Sequence, residues 1–224
     1  MHKRHSNSQP QNRPETDGVT IHWTSQYDVF ARLLGLGVNG SNSRMIVEMA
    51  KLKPGDKVLD VGCGTGDLTL TAQQYVGACG SAFGIDAAPE GIGIAQKKAK
   101  RNGVGATFKV GVIENLDFPD ATFDVVISRL VIHHLPDDLK RQGFKEIYRV
   151  LKPGGHIFIA DFKPPTNHVL AHLATALVSH QMMERSSHVW NLQPMLKEAG
   201  FSDVTSDSQR SRLLIYIAGK KASA

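Results

Sequence analysis

Lys57-Val58-Leu59-Asp60-Val61-Gly62-Cys63-Gly64-Thr65-Gly66-Asp67-Leu68-Thr69-Leu70 is the stretch whose reading decides the fold. Val58, Leu59 and Val61 form a short apolar run, which predicts a buried strand. Gly62, Gly64 and Gly66 follow at once, and a helical pattern starts near Asp67. Strand, glycine-rich turn and helix, in that order, predict the first unit of a nucleotide-binding α/β fold. Glycine lets the backbone turn tightly and lets a ligand approach with no Cβ in the way.

A dinucleotide site is argued against by the same residues. Its fingerprint requires glycine three positions after Gly64, where this chain has Asp67. A carboxylate there occupies the helix start at which a pyrophosphate needs free N–H groups. Asp60 adds a second negative charge at the strand end. These features suit a cationic ligand without phosphate, and S-adenosylmethionine has a sulfonium, an ammonium and a ribose. Asp86 ends the strand pattern Ala82-Phe83-Gly84-Ile85, 24 residues beyond Gly62. An acid at that tip holds ribose hydroxyls in such folds; a turn-capping acid is the other reading.

Four pieces in order now resemble the class I S-adenosylmethionine-dependent methyltransferases. They are Val58 to Gly66, Gly84-Ile85-Asp86, Phe118-Pro119-Asp120-Ala121-Thr122-Phe123-Asp124-Val125-Val126, and Leu151-Lys152-Pro153-Gly154-Gly155. The resemblance covers roughly residues 20 to 219. Tyr27-Asp28, followed by Leu33, Leu34 and Gly37, looks like the N-terminal segment of the ubiquinone/menaquinone C-methyltransferase group, which packs over the cofactor; an amphipathic-helix core residue is the alternative for Tyr27.

The resemblance implies a Rossmann-like α/β fold: a seven-stranded, mostly parallel sheet with helices on both faces and an antiparallel last strand. It implies S-adenosyl-L-methionine as cofactor, S-adenosyl-L-homocysteine as product, and methyl transfer to a carbon, oxygen or nitrogen of a small-molecule or lipid-like acceptor. It places Asp60, Gly62 and Gly64 at the methionine end, Asp86 at the ribose and Ala87 at the adenine, with the Ile113 backbone at a ring nitrogen. Tyr27, Cys63, Glu114 and Ser128 complete the candidate set. At Gly111-Val112-Ile113-Glu114-Asn115-Leu116 the chain departs from the family, which usually has Asp or Asn where Val112 stands. One polar anchor for the adenine amino group is missing.

Read along the chain, helices are expected over 67–75, 89–102 and 137–150, and strands over 81–86, 107–112, 123–128 and 156–161, with 151–155 as a turn. Strands alternating with helices predict a parallel sheet, with ligands outside the carboxyl ends of its strands. Asp60 to Gly66, Asp86, Val112 to Glu114 and Ser128 to Leu130 all fall at such ends. Beyond Lys163-Pro164-Pro165 the pattern gives an apolar helix over 166–183, a helix over 190–199, and closing strands over 204–208 and 213–218. Residues 1–17 are polar, with too few apolar groups to order themselves. Residues 18–224 are expected as one methyltransferase domain, with 18–50 an N-terminal helical cap and 163–190 a helical insert near the substrate site.

Displacement at an activated methyl needs alignment and exclusion of water, and a base only where the acceptor must lose a proton. His133 and His134 are the catalytic candidates; shaping the site is the alternative for both. No metal site is expected: the His pair lacks a third ligand at clear spacing, and so does the pair His168 and His172.

The chain has 224 residues, 41% hydrophobic and 21% charged, ordinary for a soluble globular protein. No apolar run reaches the roughly 20 residues of a transmembrane segment, and no signal-peptide core is present. Cys63 and Cys79 give neither a disulfide framework nor a metal spacing. These features predict a cytoplasmic protein. Net charge is +5 and the pI about 9.2, compatible with a nucleic acid or with peripheral membrane contact. The densest basic run, Lys97 to Arg101, has no interleaved aromatics and reads as a solvated helix face. Base-amino methyltransferases carry Asn/Asp-Pro-Pro-aromatic after the fourth strand; Ser128-Arg129-Leu130-Val131 stands here, so no nucleic acid is expected. The apolar segment after Pro165 suits an apolar acceptor. A non-catalytic S-adenosylmethionine-binding protein is the principal alternative, and a nucleic-acid methyltransferase the weaker one.

Overall fold

In the computed structural model, the described residues are 40–163, 192–211 and 213–223. They comprise α1 (Gly40–Met49), β1 (Lys57–Val61), α2 (Asp67–Val76), β2 (Ser81–Asp86), α3 (Pro89–Asn102), β3 (Thr107–Val110), β4 (Phe123–Arg129), a 3-10 turn (Ile132–His134), α4 (Asp137–Val150), β5 (Leu151–Phe162), α5 (Leu192–Glu198), β6 (Ser202–Asp207) and β7 (Leu214–Lys220). The sheet order is β3-β2-β1-β4-β5-β7-β6. The first five strands in that row run parallel. β7 runs antiparallel to both of its neighbours.

Side chains alternate across the strands with period two, so each strand feeds two cores. Leu59, Val61, Val126, Ile157, Ile159, Ile215 and Ile217 pack beneath Leu139, Phe144, Ile147 and Val150 of α4 and Leu192, Met195 and Leu196 of α5. On the other face, Val58, Val125, Ile127, Phe158, Ala160 and Tyr216 pack against Ile46 and Val47 of α1 and Leu68, Ala72 and Val76 of α2. The helices therefore cover both faces. Burying each such aliphatic side chain stabilises the fold by roughly 1.5–3 kcal/mol. That is why the central strand β4 reads as a continuous apolar run.

α3 begins with Pro89 in its first turn and ends at Gly103 in a left-handed conformation, both standard helix limits. Lys97, Lys100 and Arg101 are exposed on it, as expected of a solvated face. Lys98 leaves that face to bond Asp67 at 2.8 Å and Thr65 at 2.9 Å, tying α3 to the start of α2.

Several boundaries differ from expectation, and two have a clear physical cause. β3 ends at Val110, because the chain reverses at once: Gly111 N–H donates to Asp86 O, and Val112 bridges Asn115. The expected turn over 151–155 is a bulge inside β5. Phe123 pairs with Leu151, but Val125 pairs with His156. Left-handed Gly154 allows the detour (φ +79°), and its N–H donates to the carbonyls of Lys221 and Ala222. The Lys221 ammonium donates to Tyr148 O and Leu151 O at 2.7 Å each, a cation placed on the C-terminal carbonyls of α4.

The 1–17 tail, the cap before residue 40 with Tyr27, the helix expected over 166–183 with His168 and His172, and the insert over 164–190 lie outside the described residues. Among the described residues, no helix is long and apolar enough to cross a membrane.

Candidate functional site

The loop after β1 is built by three left-handed glycines, Gly62 (φ +74°), Gly64 (φ +52°) and Gly66 (φ +84°). Space enforces two of them as well. A Cβ on Gly62 would meet the Val131 side chain at 2.2 Å, and one on Gly66 would meet Ala95 and Phe108 within 2.9 Å. Gly62 and Cys63 both donate their N–H groups to Ile85 O, at 2.8 and 2.9 Å. The loop is thereby fixed to the end of β2.

Asp86 completes that attachment. One carboxylate oxygen accepts the Gly64 N–H at 2.8 Å, the other the Ala88 N–H at 2.8 Å. The acid therefore caps the turn, and each oxygen retains lone-pair capacity for a further donor. Burial raises its pKa against these two N–H groups. Ala87 follows it, half-buried.

Asp60 is buried and accepts the Thr69 hydroxyl at 2.7 Å. Burial pushes its carboxyl up to about 6; Thr69 and the Arg129 guanidinium oppose the rise, and Asp86 adds to it. Arg129 ends β4 and donates to Ser43 at 3.2 Å. Burial lowers its pKa, while Asp60 and Asp67 act the other way. A costly buried acid beside the glycine turn suits a ligand that brings positive charge.

Other candidates fall beside this cradle in different ways. Cys63 sends its side chain into the core under α3, with Ile92, Ala95 and Phe108, and burial raises its thiol far above the ordinary range. It packs the loop from below. The Ser128 hydroxyl donates to Val61 O at 2.9 Å, joining β4 to β1. Ile113 is buried against Gly143 of α4, where a Cβ would lie 2.6 Å from its side chain. Glu114 O accepts Gln142 Nε2 at 3.1 Å. Arg149 holds the next loop through Leu116 O and Phe118 O, both at 2.9 Å. Val112 is half-buried at this rim.

Beyond β4, Leu130 takes a left-handed backbone (φ +57°), uncommon for a branched residue. The turn there sets Val131 on Gly62 and leads into His133 and His134. Both rings are buried, 3.8 Å apart between centroids. His133 Nδ1 lies 2.6 Å from Asp161 Oδ1. Asp161 lies one residue before the end of the neighbouring strand, β5, and was read from the sequence only as a strand end. The available signal was its place beside the His pair once β4 and β5 are aligned in parallel. Among the described residues no three His, Cys, Asp or Glu side chains converge as metal ligands would.

The structure thus brings Asp60, Gly62, Gly64, Asp86 and Ser128 to the carboxyl ends of β1, β2 and β4. Ile113 and Glu114 lie just beyond β3, and His133 and His134 beyond β4. The loop and its two acids fit S-adenosylmethionine by donor chemistry: acceptors for ribose hydroxyls, negative charge for a cationic ligand, and an acid where a phosphate would need free amides.

The family model for the methyltransferase domain matches residues 52–210. The chain is 34% identical over 146 residues to the demethylmenaquinone methyltransferase of Lactobacillus johnsonii, covering 64% of this chain and 59% of that one. It therefore spans about three fifths of that relative's length. It is 28% identical over 201 residues to the ubiquinone/menaquinone biosynthesis C-methyltransferase UbiE of Vibrio campbellii, covering 80% and 77%. A solved S-adenosylmethionine-dependent methyltransferase from Aquifex aeolicus aligns with a TM-score of 0.66 at 20% identity, covering 85% of this chain and 97% of that one. At that identity the likeness concerns the fold.

Proposed function

The chain belongs to the methyltransferase-domain family, and from that membership we propose that it transfers a methyl group from S-adenosylmethionine to an apolar, ring-bearing small molecule of the quinol kind. The observation that carries the reading is the bond from Gly64 N–H to Asp86. It locks the glycine loop and the candidate ribose acid into one cradle, beside buried Asp60. The names of the relatives, demethylmenaquinone and ubiquinone/menaquinone methyltransferases, support the acceptor class.

When bound, S-adenosylmethionine supplies a methyl carbon already activated by its sulfonium. The chain's own work is alignment. Asp86 receives the ribose hydroxyls, Asp60 sets negative charge at the methionine end, and the Gly62–Gly64 backbone admits close approach. Ala87 and the Ile113 backbone line the adenine. Such positioning is the larger part of what a displacement on an activated carbon requires.

Calorimetry tests the reading: S-adenosylhomocysteine binds and NAD does not, and an acceptor panel containing reduced naphthoquinones yields S-adenosylhomocysteine. NAD binding without S-adenosylhomocysteine binding overturns it. A second reading, cofactor binding without turnover, is favoured by one observation, the apolar Val112 at the adenine rim. Tight binding with no product across the panel selects it.

A further inference from the structure

His133, His134 and Asp161 form a buried polar group that the cofactor cradle does not use. Asp161 Oδ1 lies 2.6 Å from His133 Nδ1 and accepts the Phe162 N–H at 2.7 Å. Asp161 Oδ2 accepts the His133 N–H at 3.2 Å. The carboxylate thus grips both the ring and the backbone of His133. A ring nitrogen so close to a carboxylate oxygen carries the proton, which leaves the lone pair on Nε2. The Phe162 ring stands edge-on to His133, with centroids 4.8 Å apart, and fixes the ring plane.

Among the described residues, three nitrogens here are buried and lack a partner: His133 Nε2, His134 Nδ1 and His134 Nε2. Native interiors rarely leave such atoms unpaired, and each calls for an explanation such as a ligand or a catalytic role. Three together, on adjacent residues, are not explained by packing, which apolar side chains would serve better. Their place is informative. His133 follows β4, Asp161 lies one residue before the end of β5, and Val131, two residues before His133, packs on Gly62 of the glycine loop. The orphan nitrogens therefore stand at the same sheet edge as the cradle.

The charges divide the labour. Burial by itself would raise Asp161, but His133 and the N–H groups of Phe162 and His133 hold its carboxyl below the usual range. Asp161 stays ionised. Burial, and then His133, push His134 down to about 3. His134 is thus a neutral ring with one donor and one acceptor. His133, backed by the carboxylate, is the ring placed to take a proton.

We propose that Asp161 positions His133 so that Nε2 takes the proton of a ring hydroxyl on the methyl acceptor, while His134 donates a hydrogen bond to the same oxygen. This rests on the methyltransferase reading and narrows its acceptors to phenol-like rings. The O–H bond breaks with its pair left on oxygen, and an N–H bond forms at His133 Nε2 beside the Asp161 carboxylate. The pair on oxygen, or delocalised from it onto a ring carbon, forms the bond to the methyl carbon as the carbon–sulfur pair returns to sulfur. After attack by carbon, the ring hydrogen leaves as a proton to solvent and His133 returns its proton to the oxygen, restoring the hydroxyl. After attack by oxygen, His133 releases its proton to solvent.

The test uses 4-nitrophenol as probe, because its phenolate is read by visible absorbance without turnover. The full chain, saturated with S-adenosylhomocysteine, is titrated with the probe across pH. The expected result is an apparent pKa of the bound probe lowered by about one to three units, the size of shift that a nearby favourable charge gives. His133→Asn abolishes the shift, and Asp161→Asn reduces it. His134→Leu weakens probe affinity about tenfold, the worth of one hydrogen bond. In each variant, unchanged S-adenosylhomocysteine affinity reports an intact fold. A wild-type protein that binds S-adenosylhomocysteine yet leaves the probe unbound or its titration unmoved overturns the dyad and leaves the cofactor reading standing. So does an unaltered shift in folded His133→Asn. Failure of the wild type to bind S-adenosylhomocysteine overturns the methyltransferase reading itself.

Discussion

Asp86 accepts the backbone N–H of Gly64 at 2.8 Å, across 22 positions of chain, and so fastens the glycine loop to the tip of the next strand. The same carboxylate takes the Ala88 N–H at the start of α3. One residue therefore sets the loop's shape and presents oxygen acceptors beside it. A group with both duties is sensitive to substitution in two ways. Asp86→Ala is expected to weaken S-adenosylhomocysteine binding by about 1–3 kcal/mol, the scale of hydrogen bonds to a charged group. Asp86→Asn keeps one oxygen acceptor and loses less. Calorimetry measures both, and an affinity unchanged in Asp86→Ala removes Asp86 from the ribose.

Asp60 yields a pH prediction. Its folded pKa, about 6, lies above the ordinary 3.8, so folding favours the protonated acid. Its contribution to stability is fully present below the unfolded pKa and is lost as pH rises through about 6. Asp60→Asn has no charge to bury and keeps an oxygen for the Thr69 hydroxyl. Without ligand, the variant should therefore exceed the parent in stability by about 1–3 kcal/mol at neutral pH. The difference should vanish below about pH 4, near the unfolded pKa. Denaturant melts at several pH values check this. S-adenosylmethionine affinity should move the opposite way, because the variant lacks the negative charge. A parent equally stable at both ends of the range argues that Asp60 is not charged at a cost.

The glycine loop of the candidate cradle was legible because its requirements are local. Left-handed turns demand glycine at 62, 64 and 66, and buried strands demand apolar runs. The Asp161–His133 pair was not legible, since 28 residues separate them and only the parallel pairing of β4 with β5 joins them. The bulge at Gly154 escaped for a similar reason: its N–H is satisfied by Lys221 and Ala222, far along the chain. Cys63 is a further case. Its place inside the motif asked only for a small residue, and the sequence does not show that its side chain fills the core under α3.

Gly143 links the helix α4 to the proposed adenine rim at Ile113. A Cβ there would lie 2.6 Å from Ile113 Cγ1 and 2.9 Å from its Cδ1. Alanine improves helix propensity by about 1 kcal/mol, but overpacking a buried contact costs typically about 1–3 kcal/mol. Gly143→Ala is expected to be neutral to destabilising by about 2 kcal/mol in denaturant melts, and to weaken S-adenosylhomocysteine binding by displacing the Ile113 backbone. Pairing it with Ile113→Val, which removes the Cδ1 contact and leaves the γ carbons freer to shift, should restore part of both. A Gly143→Ala variant more stable than the parent shows that Ile113 yields without strain.

Val112 stands where the resembled family places an acid or amide. It is half-buried, and its backbone bridge to Asn115 does not depend on its side chain. Asparagine or aspartate can therefore replace it without undoing the reversal after β3. Val112→Asp is expected to tighten S-adenosylhomocysteine binding by about 0.5–1.5 kcal/mol, the net worth of a typical hydrogen bond, by supplying an acceptor for the adenine amino group. Against this stands the cost of taking a carboxylate out of water, which partial exposure at position 112 reduces. Val112→Asn supplies the acceptor without the charge and separates the two effects. Gains in both variants place the adenine amino group at residue 112. A gain for asparagine alone shows that the rim is too dry for a carboxylate. Losses in both show that Val112 packs on the ring, and that shape and backbone groups hold the adenine.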